Sequence, residues 1–234
     1  MTTATKKRNN KRFSNKQQLQ ILRILTHVGA LFPLAWIAFD FVTNNLGADP
    51  LRELTLRTGY PALVLLILSL ACTPLSMLGW KVVLPLRKPL GLYSFLYVFI
   101  HLGIFVFSYG YFGQAIDWLF VWQEATQRRY ALVGSLAFLI LLPLALTSTN
   151  WAMRKLGKNW KRLHRLVYVA AVLAIAHYVW LVKGNYTYPI IWGSILGVFL
   201  LMRVPPVKER IVSLRKSLFS SGSKKKRSPK EQTA

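Results

Sequence analysis

The chain has 234 residues, 53% of them apolar, and its 31 Lys and Arg stand against only 7 Asp and Glu, for a net charge of +24. In a soluble protein that charge would point to nucleic acid, but here the apolar residues run in long uncharged blocks, which is a membrane composition. Cys72 is the only cysteine, which excludes an intrachain disulfide and a Cys-x-x-Cys-His covalent haem attachment.

In chain order, residues 1–20 form a polar, basic tail. Uncharged apolar stretches follow at 24–39, 58–80, 89–116, 130–153, 166–182 and 184–202. A helix needs about 20 residues to cross the hydrocarbon, so these predict six spans within residues 21–204. Continuous rather than alternating apolarity argues against strands. The expected fold class is an all-α integral membrane protein with a six-helix transmembrane bundle. The first stretch resembles a signal peptide in having basic residues before it, but it is longer than a usual apolar core and lacks a small-x-small end, so it reads as retained. Residues 205–234 begin with Pro205-Pro206, carry Lys224-Lys225-Lys226-Arg227, and read as a basic tail, disordered from Ser220 and able to touch anionic lipid.

The charge has a topological explanation. Counted by alternate loops, 26 of the 31 basic residues fall on one side: the amino-terminal segment to Arg23, 81–88, 154–165, and everything from Arg203 onward. Arg52, Arg57, Arg128, Arg129 and Lys183 fall on the other. The positive-inside rule then places both termini in the cytoplasm of a multi-pass membrane protein and leaves nucleic acid without a role. The loop at 44–50, Asn-Asn-Leu-Gly-Ala-Asp-Pro, is turn chemistry, so a structural reading covers Asp49 without assigning it a function.

All four histidines lie in or beside spans. His101 is thirteen residues past Lys88 and His177 twelve past Arg165, so each sits about 18 to 20 Å beyond its basic boundary. An ionisable side chain at that depth is costly and normally faces a bundle interior, and two imidazoles meeting across helices are the usual axial ligands of low-spin haem iron. A hydrogen-bonded pair of packing histidines is the plainer alternative. His27 and His164 lie near the basic boundary. On a straight helix His164 and His177 stand thirteen residues and roughly 140° apart, so spacing supports one deep haem better than two. Gly91 and Gly103 flank His101 and permit close approach of a macrocycle or a helix. Arg87, Lys88, Arg162 and Arg165 either pair with propionates or mark topology. Trp151, Trp160, Trp180 and Trp192 fit an aromatic belt. No Ser-His-Asp set, His-Glu-x-x-His motif or intramembrane carboxylate pair marks a substrate-level active site.

The runs Leu46 to Pro50, Thr58-Gly59, Thr73-Pro74-Leu75, Arg87 to Leu92, His101-Leu102, Thr147-Ser148, Leu156-Gly157-Lys158, Trp160, Leu163-His164, Val167-Tyr168, His177-Tyr178 and Val182-Lys183 resemble one family in order and spacing across residues 20–205. It is the family of haem-binding membrane subunits of the bacterial periplasmic methionine sulfoxide reductase system. The resemblance implies a ferric-reductase-like transmembrane domain with haem b, and an FMN that falls on no particular residue. It further implies electron flow from quinones or a flavin reductase to a periplasmic molybdopterin methionine sulfoxide reductase subunit. By the family pattern, His101, His164 and His177 are haem-associated metal ligands, and Arg87 is a basic cofactor-binding position. Two other readings stay open: a stand-alone ferric or quinone reductase on the same bundle, and a small transporter with packing histidines.

Overall fold

A computed structural model describes residues 14–110 and 115–224, and every regular element among them is helical. The first helix, α1 (Asn15–Val42), opens on a capping box in which Ser14 and Gln17 satisfy each other's backbone N–H groups. The second, α2 (Pro50–Leu78), starts with proline at its first position and the Asp49 carboxylate accepting from Arg52 N at 3.1 Å. The turn reading of 44–50 is therefore right, and Asp49 is its helix cap; Thr58-Gly59-Tyr60-Pro61, which by composition also read as turn chemistry at the entry to the next span, lie instead within α2, which begins eight residues earlier at Pro50. A 3-10 turn at Lys81–Leu86 leads into α3 (Arg87–Gly110), followed by the short α4 (Trp118–Gln127) and by α5 (Arg129–Leu146). Two brief helices, α6 (Asn150–Leu156) and α7 (Lys158–Leu163), and a 3-10 turn at His164–Leu166 precede α8 (Val167–Leu181). The chain closes with α9 (Thr187–Leu201) and α10 (Pro205–Lys224).

Five helical segments are long and apolar enough to cross a membrane: Asn15–Val42, Pro50–Leu78, Lys81–Ser108, Arg129–Leu146 and Lys158–Leu181. The sixth expected span forms a helix of only 15 residues, α9. At 1.5 Å per residue it covers about 22 Å, short of a hydrocarbon core of about 30 Å. It then turns by 78° into α10, because Pro205 and Pro206 supply no N–H and disfavour helical backbone before them. Residues 205–224, expected as a tail, continue as helix, so order extends past Ser220 to Lys224; the lysine-rich run from 225 onward lies outside the described residues.

The bundle is organised around α2. Of its most apolar window 61% is buried, against 11% for α1, and its two flanks feed two separate cores. On one side Ala62, Leu65 and Cys72 pack with Ala30 of α1 and Leu90 and Tyr97 of α3. On the other, Leu66 and Leu70 meet Leu141 of α5, Ala170 and Ala171 of α8 and Leu196 of α9. Cys72 is the small packing residue its position predicts. Large apolar side chains cover the outside instead, with Ile24, Phe99, Leu139 and Ile190 each about 60% exposed, as lipid contact requires.

Arg203, counted with the basic tail, is drawn inward. Its guanidinium donates to the Tyr168 hydroxyl and the Leu70 carbonyl and lies 4.9 Å from the Tyr168 ring centre, tying the end of α9 to α8 and α2. Arg215 of α10 donates to Met77 O at 2.9 Å and so caps the carbonyl end of α2. At the opposite end of the bundle, the buried Asp40 pairs with Arg57, which also holds Glu53 at 2.5 Å. That pairing accounts for Asp40, the carboxylate at the far end of the first span, as a partner of Arg57.

Candidate functional site

His101 of α3 and His177 of α8 meet across the bundle, with ring centroids 6.1 Å apart and ring planes at 89°. The two histidines that Lys88 and Arg165 place at matched depth are thus side by side in the fold. Each ring is held from a second helix by the same device. His101 Nδ1 is 2.9 Å from the Thr55 carbonyl of α2, and His177 Nδ1 is 2.7 Å from the Tyr130 carbonyl at the start of α5. A carbonyl oxygen only accepts, so both Nδ1 atoms carry the proton and both Nε2 atoms keep a lone pair. Donation of one ring N–H to a carbonyl is the usual support of a metal-ligating histidine, because it fixes the tautomer and raises the basicity of the other nitrogen.

Glycine makes that contact possible. A Cβ at Gly59 would lie 3.2 Å from His101 Cε1, and one at Gly134 would lie 2.7 Å from His177 Nδ1. Each glycine is four residues, one helical turn, after the carbonyl that its histidine uses: Thr55 then Gly59, Tyr130 then Gly134. Removing the side chain one turn along lets an imidazole lie against the helix backbone and reach the carbonyl below. The glycines singled out by sequence act differently. Gly91 admits the Ser69 hydroxyl on α2, while nothing stands within 4 Å of a Cβ at Gly103. The signal for Gly59 and Gly134 was present, since each interrupts an apolar helix where glycine costs about 1 kcal/mol, but sequence did not say which histidine each would face.

The two rings line a cavity of about 270 Å³ walled by Leu63, Leu66, Val98, Phe105, Phe138 and Leu141 among others, with α2, α3, α5 and α8 all contributing. It is apolar, and its polar points are few. Among the described residues no three metal-binding side chains converge. The histidines therefore form a pair, the set needed when a macrocycle supplies the remaining bonds to the metal. Their separation is one that a single ion spans at ordinary metal–imidazole distances of about 2 Å. On tautomer, spacing and lining, the residues fit a non-covalent haem.

His164 lies elsewhere, at the basic end beside Trp160, whose ring stacks on it with centroids 4.0 Å apart and planes at 25°. Its Nε2 is 3.1 Å from Thr147 Oγ1, and Thr147 gives its own proton to Pro143 O at 2.5 Å. His164 therefore donates from Nε2 and keeps its lone pair on Nδ1, the reverse of the deep pair. Trp160 completes the unit by donating to Thr147 O at 2.9 Å. Arg87 stands within electrostatic reach of His164 and of Arg203. The 140° estimate for His164 and His177 assumed a straight α-helix. Residues 164–166 are instead 3-10, where each step turns about 20° more, so the two stand roughly 80° apart.

Residues 58–175 match the family described as the ferric reductase like transmembrane component. A Rhodospirillum rubrum protein named protein-methionine-sulfoxide reductase heme-binding subunit MsrQ is 42% identical over 197 residues, covering 83% of this chain and 93% of its own. Proteins of the same name from Xanthomonas axonopodis pv. citri and Herminiimonas arsenicoxydans are 40% and 39% identical over 193 and 191 residues, or 78% and 80% of this chain and 85% and 86% of theirs. The chain belongs to the MsrQ family. It is a multi-pass membrane protein; His101 lies within the matched residues 58–175, and His177 two residues past their end.

Proposed function

We propose that this chain is the haem b electron-transfer subunit of a methionine sulfoxide reductase system, in which His101 and His177 would hold one low-spin haem through their Nε2 atoms. The observation that carries the reading is the deep pair itself, with both Nδ1 protons committed to backbone carbonyls and both Nε2 lone pairs left for a metal. The names of the relatives support haem and the reductase system. When bound, haem supplies a one-electron carrier inside the bilayer. The chain's own residues do the rest: Thr55 and Tyr130 orient the imidazoles, Gly59 and Gly134 let them seat, and the apolar wall excludes water. A dry surround and ring hydrogen bonds tune the potential.

His164 and Arg87 belong, in this reading, to a second position at the basic end. Trp160 and Thr147 hold the His164 ring there, and Arg87 offers a charge for a carboxylate or phosphate. His164 then works on the path by which electrons enter. With 26 of 31 basic residues on that side, the basic end is cytoplasmic and the deep pair lies toward the periplasm. Electrons would come from quinones or a cytoplasmic flavin reductase and leave to a periplasmic molybdopterin-dependent subunit in the inner membrane. No step is routed through FMN, to which no set of described residues is assigned.

The test is reconstitution. Purified haem-loaded protein in vesicles, reduced from the basic side, should pass electrons to its reductase subunit and support repair of oxidised methionine. A protein that takes up haem but reduces only ferric chelates, and never the reductase subunit, would overturn the assignment to this system.

A further inference from the structure

His27 of α1 is the histidine that the haem scheme does not use, and it faces the outside of the bundle. Its Nδ1 lies 2.7 Å from the Tyr93 hydroxyl of α3, with the two rings edge to face at 5.6 Å. Around it the surface is apolar, with Ile24 62% and Val28 59% exposed. One turn deeper, Tyr97 is fully buried and donates to Ala30 O at 2.7 Å, and that bond already clasps α1 to α3. The clasp therefore does not require an imidazole at 27. A polar ring turned toward acyl chains is costly unless something there hydrogen-bonds to it, and Tyr93 satisfies only one of its two nitrogens.

Depth narrows the choice of ligand. His27 is four residues inside Arg23, and Tyr93 is five inside Lys88. Both therefore sit about 6 to 8 Å below the basic boundary. A lipid phosphate would remain with the arginine and lysine at that boundary. A neutral His–Tyr pair one turn further in matches a neutral headgroup with carbonyl or hydroxyl oxygens, carried on an apolar tail. Leu31 and Leu96, one turn deeper on each helix and both partly exposed, continue the surface along which such a tail would lie. Tyr93 is eight residues from His101 on the same helix, about 12 Å of rise and roughly 80° of azimuth.

From this geometry we propose that His27 and Tyr93 form the docking site for the headgroup of a membrane quinone, with His27 Nε2–H donating to one quinone oxygen and the Tyr93 hydroxyl, whose own proton goes to His27 Nδ1, accepting from the hydroxyl of the reduced form. The site rests on the reading of the chain as a haem electron carrier fed from the membrane and assigns the donor's place within it.

The test uses the full-length, haem-loaded protein in nanodiscs with a photoactivatable short-tailed benzoquinone, followed by peptide mapping. Saturable labelling should fall on the segments containing His27 and Tyr93. His27→Gln and Tyr93→Phe should each weaken binding about 3- to 10-fold, the loss of one hydrogen bond, with haem content unchanged. Saturable labelling at another place would overturn this site and leave the quinone as donor. No saturable labelling, in protein that accepts electrons only from a flavin reductase, would overturn the quinone donor together with the site. Equal displacement of the probe by phosphatidylglycerol would assign the pair to lipid instead and equally contradict the proposal.

Discussion

Gly134 is the most constrained residue of the deep site. A Cβ there would stand 2.7 Å from His177 Nδ1, inside any contact that real side chains make, whereas Gly59 leaves 3.2 Å to His101. Gly134→Ala must push the imidazole off the Tyr130 carbonyl, while Gly59→Ala needs a shift of only a few tenths of an ångström. The expected result is that Gly134→Ala loses most of the bound haem and Gly59→Ala retains most of it, as read from the pyridine haemochrome of purified protein. Equal retention in both would mean that the ring has room the packing does not show. At this scale the sequence was legible for the histidine pair and not for its supports. His101 and His177 announce themselves as ionisable groups in apolar spans. The Thr55 and Tyr130 carbonyls carry no sequence signal, since every residue has one. His164 falls between the two cases. Replacing it with Ala should leave the deep haem in place and slow its reduction from the basic side, measured by haem stoichiometry and stopped-flow reduction; wild-type values for both would make it merely structural.

Among the elements, the boundaries that differ from expectation have local causes. The fifth span is broken by a 3-10 turn at His164, and the sixth is a 15-residue helix bent at Pro205-Pro206. Apolar run lengths locate spans well, but they do not reveal breaks, because the same apolar residues are accommodated in a 3-10 turn as in an α-turn. The inward path of Arg203 was illegible for a related reason: a basic residue at a span end looks like topology until its partners are known. Tyr168→Phe removes one acceptor from a guanidinium whose Nε already lacks a partner among the described residues. It should lower stability by about 1 to 3 kcal/mol without loss of the deep haem, measured by thermal unfolding in detergent with haem absorbance followed in parallel. An unchanged midpoint would show that the strap contributes nothing to the seating of α9.

The molecule as a whole separates two kinds of charge. Carboxylates gather at one end, where Asp40 and Glu53 hold Arg57, and the basic excess lies at the other. The all-α class and the inward placement of the two deep histidines were legible because bilayer thickness and charge bias act on the whole chain. The number of crossings was less so, since α9 alone is too short. Reporter fusions at Ser221 and Gln123 should give cytoplasmic and periplasmic signals respectively, and reversal of either would redraw the topology. The deep pair is tested most directly by electron paramagnetic resonance and haem stoichiometry of wild-type protein beside His101→Ala and His177→Ala. If both imidazoles hold the haem iron at the 89° between their planes, the ferric protein should give a strongly anisotropic low-spin signal that disappears from both variants, with the protein still inserted in the membrane. Full haem content and an unchanged low-spin signal in either variant would contradict the pairing.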